Sequence, residues 1–125
     1  MAGFVAGTPQ TLLTGPATIA ADAEISLLQI NCETDANGNP VACGEIFIDA
    51  AAAASGDLEI YLVRVTETGG TAATNKYRSL SIDAGSSGEI NIPLMVGVYN
   101  LWVKNNDTVN TATINSVILK TYTWA

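Results

Sequence analysis

The sequence contains no histidine, only two cysteines and no long apolar run. Histidine is the commonest general base and a frequent zinc ligand, so its absence disfavours both kinds of site. The glycine-rich stretches match neither a P-loop nor a dinucleotide-binding fingerprint, and no serine has an evident base. We therefore predict a chain that is not an enzyme and that has no catalytic residue, no cofactor and no metal ion.

Basic residues are also scarce, with 5 Lys and Arg against 12 Asp and Glu and a net charge of −7. Binding along a phosphate backbone needs clustered cations, so we expect no nucleic-acid partner. No apolar run approaches the roughly 18 residues of a membrane span. Residues 1–14 lack the basic and apolar segments of a signal peptide. We expect no membrane association and no export from the compartment of synthesis.

The apolar residues that are present alternate with polar ones, which is typical of β-strands. Leu58, Ile60 and Leu62 fall on one face of their segment. Tyr99 and Trp102 fall on opposite faces of theirs, so we expect one in the core and the other outside. Strands are predicted at 24–33, 41–50, 57–66, 76–82, 89–95, 97–104 and 111–124, with an eighth, shorter one near 11–19.

Turn residues separate these segments at Asn37-Gly38, Gly69-Gly70, 85–88 and 105–107. The alanine run at 50–54 is the one helix candidate, and it is too short to be stable alone. Seven or eight short strands predict an all-β fold, an antiparallel β-sandwich of jelly-roll or Greek-key type spanning residues 11–125. Residues 1–10 are aperiodic and predict an extended N-terminal arm.

The segment from Cys32 to Cys43 carries the most specific local signal. Asn37-Gly38 favours a two-residue hairpin turn of type I′, in which both residues have positive φ. That turn would pair Cys32 directly with Cys43. A disulfide between them is one outcome, and two free thiols are the other, favoured in a reducing compartment.

The tip of the same hairpin offers a calcium-loop alternative, because Asp35, Asn37 and Asn39 are spaced like the first ligands of such a loop. The rest of the motif is missing. Gly38 is misplaced, and Ile46 stands where the bidentate acidic ligand belongs. The prediction of no metal ion therefore stands.

Several features together resemble the capsid decoration, or cement, proteins and related small virion proteins of tailed bacteriophages. They are a Met-Ala-Gly start, an extended arm, a sandwich rich in Thr, Ala and Asn, few charges, acidity and a strand at the C-terminus. The segment Gly97–Asn105 with its following Asp-Thr turn also resembles a late strand of such sandwiches.

This resemblance implies a structural protein that is made in the host cytoplasm and added to the outer capsid surface of the virion. It would bind the major capsid protein as a homotrimer and stabilise neighbouring capsomers. Phe4 and Val5 of the arm, with Tyr122 and Trp124 of the last strand, would supply the capsid or subunit contacts.

Two alternatives remain open. The first is a carbohydrate- or receptor-binding module of a phage fibre or a secreted protein, with Trp102 and either Tyr122 or Trp124 forming an aromatic platform. The second is a pilus or surface-layer subunit, which would require a secretion signal.

Overall fold

The computed structural model describes residues 3–66 and 76–124. Within these ranges the chain forms two antiparallel sheets and contains no helix. Accordingly, none of the described segments is an apolar helix long enough to cross a membrane. The strands are β1 (Phe4–Ala6), β2 (Gln10–Thr11), β3 (Ala17–Ile19), β4 (Glu24–Cys32), β5 (Cys43–Ala51), β6 (Leu58–Arg64), β7 (Tyr77–Ile82), β8 (Ser87–Leu94), β9 (Gly97–Asn105) and β10 (Ala112–Trp124).

The seven strands predicted after residue 24 are all present, as β4 to β10, with ends shifted by at most two residues. The alanine run at 50–54 forms no helix, since its first two residues finish β5 and the others lie in the following turn. The predicted total of seven or eight strands is too low, because the N-terminal segment contributes three short strands. The turn predicted at Gly69-Gly70 lies outside the described residues.

The first sheet is built around β10. Strand β5 pairs along one edge of β10, and β8 pairs with β5. Along the other edge, β3, β2 and β1 pair with successive stretches of β10 from its start to its end. Gly15, at φ +85°, and Pro16 separate β2 from β3. The strand predicted near 11–19 is therefore two strands.

The predicted N-terminal arm is extended in its described part, residues 3–10, but it does not hang free. Strand β1 pairs Phe4 with Trp124 and Ala6 with Tyr122. The N–H of Gly7 then donates to the carbonyl of Thr121 at 2.8 Å. The segment is thus a broken edge strand of the first sheet.

The second sheet has the order β4-β9-β6-β7, and its inner face packs on that of the first sheet in a sandwich-like arrangement. Leu58, Ile60 and Leu62, which were predicted to share one face, are fully buried and belong to the core. Tyr99 is buried in the core and Trp102 faces outward, which confirms their opposite orientations. Each large apolar side chain buried in this way stabilises the fold by roughly 1.5–3 kcal/mol.

The hairpin between β4 and β5 does not have the predicted register. Its tip pairs Thr34 with Pro40, and the N–H of Asp35 donates to the carbonyl of Asn39. Of the two turn residues, only Gly38 has positive φ, at +82°. The turn is therefore a three-residue loop ending in a left-handed glycine, and the type I′ prediction is wrong.

The physical reason is the side chain of Asp35. Its Oδ1 accepts the N–H groups of Asn37 at 2.9 Å and of Asn39 at 2.8 Å. These bonds favour a right-handed turn over residues 36 and 37, which leaves a left-handed conformation only for Gly38.

The opposite end of the molecule is held together by two buried polar residues, Asn105 at the end of β9 and Asp107 in the β9–β10 connection. The Asn105 amide donates to the carbonyls of Ile19, Ala20 and Asn110 at 2.9–3.3 Å. Asp107 accepts backbone N–H groups from its own loop and from Ser55. These bonds join three loops around one point.

Candidate functional site

Exposed apolar side chains gather at one end of the molecule, the end that carries the β4–β5 hairpin. The ladders bring them there: Trp124 pairs with Phe4, Leu94 at the end of β8 pairs with Gly44, and Gly97 at the start of β9 pairs with Cys32. The N–H of Val65 donates to the carbonyl of Val98 at the same end. We name this set the apolar end: Phe4, Val5, Val65, Met95, Val96 and Trp124.

The exposed apolar side chains are unevenly distributed over the molecule. Nine large apolar side chains are exposed in the described part of the chain, and six of them belong to the apolar end. The other three, Ile25, Leu80 and Val109, are scattered. Single exposed apolar residues are ordinary, whereas a cluster marks an interaction surface.

The apolar end includes an aromatic pair, formed between β1 and the last residue of β10. The rings of Phe4 and Trp124 lie 4.8 Å apart between centroids and are tilted by 39°. Phe4 is 57% exposed and Trp124 is 68% exposed. Each ring supports the other, yet both keep most of their surface available to a partner.

Beside Trp124 lies an open cleft of about 390 Å³, lined by Asn39, Pro40, Thr123 and Trp124. The cleft joins the aromatic pair to the tip of the β4–β5 hairpin. Its lining combines an indole ring with an amide and a hydroxyl group, so it presents both apolar contact area and hydrogen-bonding groups.

A second depression, which we call the groove, lies farther along the outer face of the first sheet. Its volume is about 320 Å³. Phe47 of β5 and Ile118 of β10 are cross-strand partners that form its floor beside Pro9. Asp49 and Glu89, which are paired across β5 and β8, line its acidic side.

Between the groove and the aromatic pair, a polar cluster fixes Tyr122. Its hydroxyl donates to Glu45 Oε2 at 2.9 Å, and the amide of Asn91 donates to Glu45 Oε1 at 3.1 Å. The hydrogen bond to the Glu45 carboxylate raises the pKa of Tyr122 above its usual value. The Tyr122 side chain is thus fixed by hydrogen bonding and keeps its proton at neutral pH.

The outer face of the second sheet is different in character. There the Tyr61 and Trp102 rings stack at 6.3 Å with an 8° interplanar angle. Tyr61 is fully buried and donates to Glu24 Oε2 at 2.9 Å, so only the partly buried Trp102 ring presents aromatic surface here. The ammonium of Lys76 lies 4.3 Å from the Tyr61 ring centroid.

This geometry corrects the aromatic platform expected for the carbohydrate alternative. Trp102 belongs to the outer face of the second sheet, whereas Tyr122 and Trp124 belong to the first sheet. Trp102 therefore cannot form one platform with either of them. The exposed aromatic surface consists of Phe4 and Trp124 instead.

The two cysteines are not cross-strand partners. The pairing of Cys32 with Cys43, which followed from the type I′ prediction, is therefore wrong as well. Cys32 pairs with Gly97 in the second sheet, and Cys43 pairs with Tyr122 in the first. Both are free thiols in this structure. Burial, with a smaller effect from Cys43, raises the pKa of the Cys32 thiol to about 11. Cys32 is thus protonated at neutral pH and is a poor nucleophile.

The structure brings the sequence-predicted contact residues Phe4, Val5, Tyr122 and Trp124 together, since all four lie in the β1–β10 pair. Sequence reasoning did not identify Phe47, Ile118 and Pro9. The alternation in β5 carried a usable signal, because it places Phe47 on the same face as Glu45 and Asp49.

Among residues 3–66 and 76–124, no three acidic or cysteine side chains gather as a metal site. Comparison with known protein families and with curated proteins finds no match to this chain. The candidate site that the geometry defines is the apolar end with its adjoining cleft.

Proposed function

We propose that the chain is a structural virion protein that docks by its apolar end on the outside of a phage capsid and stabilises neighbouring capsomers. The observation that carries the proposal is that six of the nine exposed large apolar side chains of the described residues lie at one end of the molecule, the Phe4–Trp124 pair among them. Aromatic side chains in such clusters supply a large share of the energy in protein–protein interfaces.

The strand order supports this proposal. If the three N-terminal strands count as one broken strand, each sheet has four strand positions, in the orders β1-β10-β5-β8 and β4-β9-β6-β7. We infer an eight-stranded jelly roll from this arrangement, a fold that is common in viral capsid proteins. The partner in this proposal is the major capsid protein of the same virus, and the bound form is a homotrimer.

The charge distribution is compatible with an outer position. A net charge of −7 opposes contact with packaged DNA and favours the outer side of a shell. A protein that binds the assembled lattice and not the free capsid subunits stabilises the lattice by mass action. No catalytic group is needed for this role.

The test uses a double variant, Phe4→Ser with Trp124→Ser, in co-sedimentation with shells assembled from the major capsid protein. We expect binding to weaken by more than about 30-fold, because two aromatic contacts of about 1 kcal/mol or more each are lost. Val109→Ser is the matched control, since Val109 is 80% exposed but lies at the other end of the molecule. Light scattering of the unbound protein tests whether the homotrimer already forms before capsid binding.

Two results would contradict the proposal. The first is wild-type protein that stays in the supernatant at micromolar shell concentrations. The second is a double variant that sediments as well as the Val109 control, which would place the contact elsewhere.

Glycan binding is the second candidate, and the cleft beside Trp124 favours it. An exposed indole stacks well on a sugar ring, and Asn39 and Thr123 offer hydrogen bonds to its hydroxyl groups. A glycan array separates the candidates. A specific glycan signal that Trp124→Ser removes, together with no shell binding, would favour the glycan reading.

A further inference from the structure

The groove on the outer face of the first sheet lies outside the apolar end, and the proposed function makes no use of it. Side chains cover this part of the face in rows, because cross-strand partners share a face and every second residue of a strand points outward. The first row is Ser116, Asp49 and Glu89, the second is Ile118, Phe47 and Asn91, and the third is Lys120, Glu45 and Pro93. The groove therefore has an acidic end followed by an apolar middle.

The acidic end is a pair of like charges that the chain leaves uncompensated. Asp49 and Glu89 are directly opposite each other on β5 and β8, at positions whose Cβ atoms are typically about 5 Å apart. Both side chains are exposed. The structure describes all five Lys and Arg residues of the chain, and none of them forms an ion pair with either carboxylate. A cation from another molecule would therefore relieve a repulsion that the fold itself retains.

Lys120 is the one cation that lines the groove among the described residues, and it does not neutralise the acidic pair. It is the cross-strand partner of Glu45, two rows away from Asp49. Its ammonium lies 5.5 Å from the centroid of the Tyr122 ring, which is still farther along β10. Lys120 thus bounds the groove at its far end and leaves the two carboxylates of the first row available.

The apolar middle supplies the second part of the surface. Phe47 and Ile118 are cross-strand partners, and each is only partly buried. Pro9 borders them, and the depression has a volume of about 320 Å³. Consecutive rows are about 7 Å apart, since each residue of a strand advances the chain by roughly 3.3 Å. An apolar stem with a cationic head can therefore lie on this floor while the head reaches the carboxylates.

We propose that the groove binds an arginine side chain presented by a partner polypeptide. Its guanidinium lies between the carboxylates of Asp49 and Glu89, and its methylene stem lies on the apolar floor. A guanidinium carries five N–H donors in a planar fork, so it can donate to two carboxylates at once. Lysine is less suited, because its compact ammonium is more strongly hydrated. The groove is thus a docking surface for a basic segment of a partner, and this inference does not rest on the proposed function.

The test is a titration of the ¹⁵N-labelled full chain with the capped peptide Gly-Ser-Arg-Ser-Gly, followed by the NMR chemical shifts of the backbone amides. This peptide has no apolar residue that could occupy the apolar end. We expect saturable shifts, largest in β5, β8 and β10 around the groove, with a dissociation constant of roughly 10⁻³ M. The same peptide with citrulline keeps the shape of arginine without its charge and should bind at least about tenfold more weakly.

The double variant Asp49→Asn with Glu89→Gln should weaken binding of the arginine peptide by at least about tenfold. It removes a like-charge pair from the surface, so we expect it to fold. Glu33→Gln with Asp83→Asn is the matched control, because it removes the same two charges from exposed side chains outside the groove. Its effect should stay below about twofold. Ile118→Thr keeps a β-branched side chain in β10 and should weaken binding about threefold, because the stem loses apolar contact.

Four outcomes would overturn the site, and none of them depends on capsid binding. The first is the absence of saturable shifts at about 10 mM peptide. The second is a citrulline or lysine peptide that binds as tightly as the arginine peptide. The third is an Asp49–Glu89 double variant that binds as tightly as its control. The fourth is self-association of the wild-type chain that this double variant abolishes, which would make a second copy the occupant.

Discussion

At the scale of single residues, the side chain of Asp107 holds two loops together at the end of the molecule opposite the apolar end. Its Oδ1 accepts the N–H groups of Val109 and Asn110, both at 2.8 Å, and its Oδ2 accepts that of Ser55 at 2.8 Å. Gly56 lies against it so closely that a Cβ would overlap the backbone of Asn106 and Asp107. The carboxylate therefore connects two loops that have no room to rearrange.

These hydrogen bonds hold the pKa of Asp107 well below its usual range. Because the folded state lowers this pKa, the carboxylate stabilises the fold fully above the usual value of about 4. The stabilisation is lost as pH falls below that value towards the lowered pKa, because protonation then favours the unfolded chain.

We predict that Asp107→Asn lowers the Tm at pH 7 by about 5–10 °C, because the new amide donor faces the donating N–H of Ser55. The difference from wild type should shrink progressively between about pH 5 and pH 2. Asp83→Asn, at an exposed position, is the control and should change little at either pH. Thermal melts across this range would contradict the assignment if the Asp107 variant kept the same deficit throughout.

At the scale of elements, β1 differs most from its prediction, since the sequence predicted an extended arm and the structure pairs this segment with β10. Three residue pairs and the Phe4–Trp124 ring contact hold it to β10. The buried core begins only after it, with Leu12 and Leu13 packing at its margin and Ile19 fully inside. The strand therefore adds to stability without being needed for the core.

We predict that deleting residues 1–6 leaves the far-ultraviolet circular dichroism spectrum of the sheets intact and lowers the free energy of unfolding by about 1–2 kcal/mol. The deletion also uncovers the backbone edge of β10, so we expect concentration-dependent self-association in light scattering. Phe4→Ser is the control, because it removes the ring and keeps the strand. Loss of cooperative urea unfolding would show instead that β1 is essential.

The alternation of apolar and polar residues predicted most strands, because the positions that face the core of a sandwich need apolar side chains. In β9, for example, Tyr99 and Trp102 were assignable to opposite faces from spacing alone. The hairpin register could not be predicted, since it depends on whether the Asp35 side chain or a second left-handed residue shapes the turn. Both choices suit the dipeptide Asn37-Gly38, and they differ by one residue in register.

The candidate site was predictable in its residue types but not in its assembly. Phe4 and Trp124 are unusual as large side chains near the two ends of the sequence. Their contact depends on a pairing between β1 and β10 that spans almost the whole chain. No local pattern in β1 predicts this pairing, because all three residues of β1 are exposed and so show no alternation of buried and exposed positions.

At the scale of the whole molecule, the repulsion between acidic groups is offset by few attractive charge pairs. The net charge is −7, and the described residues contain one ion pair, between Lys76 and Glu59 at 3.3 Å. Asp49 and Glu89 even stand opposite each other across β5 and β8. Like charges in that position are destabilising.

We therefore predict that this fold becomes more stable as sodium chloride rises from 10 to 500 mM in the presence of a chelator. Salt shortens the screening length from about 30 Å towards 4 Å, which weakens long-range repulsion more than it weakens one short ion pair. The Tm should rise by about 3–5 °C, and Glu89→Gln should reproduce part of that rise at low salt. A Tm that falls with salt would contradict the prediction, because it would mean that attractive charge pairs outweigh the repulsion between acidic groups.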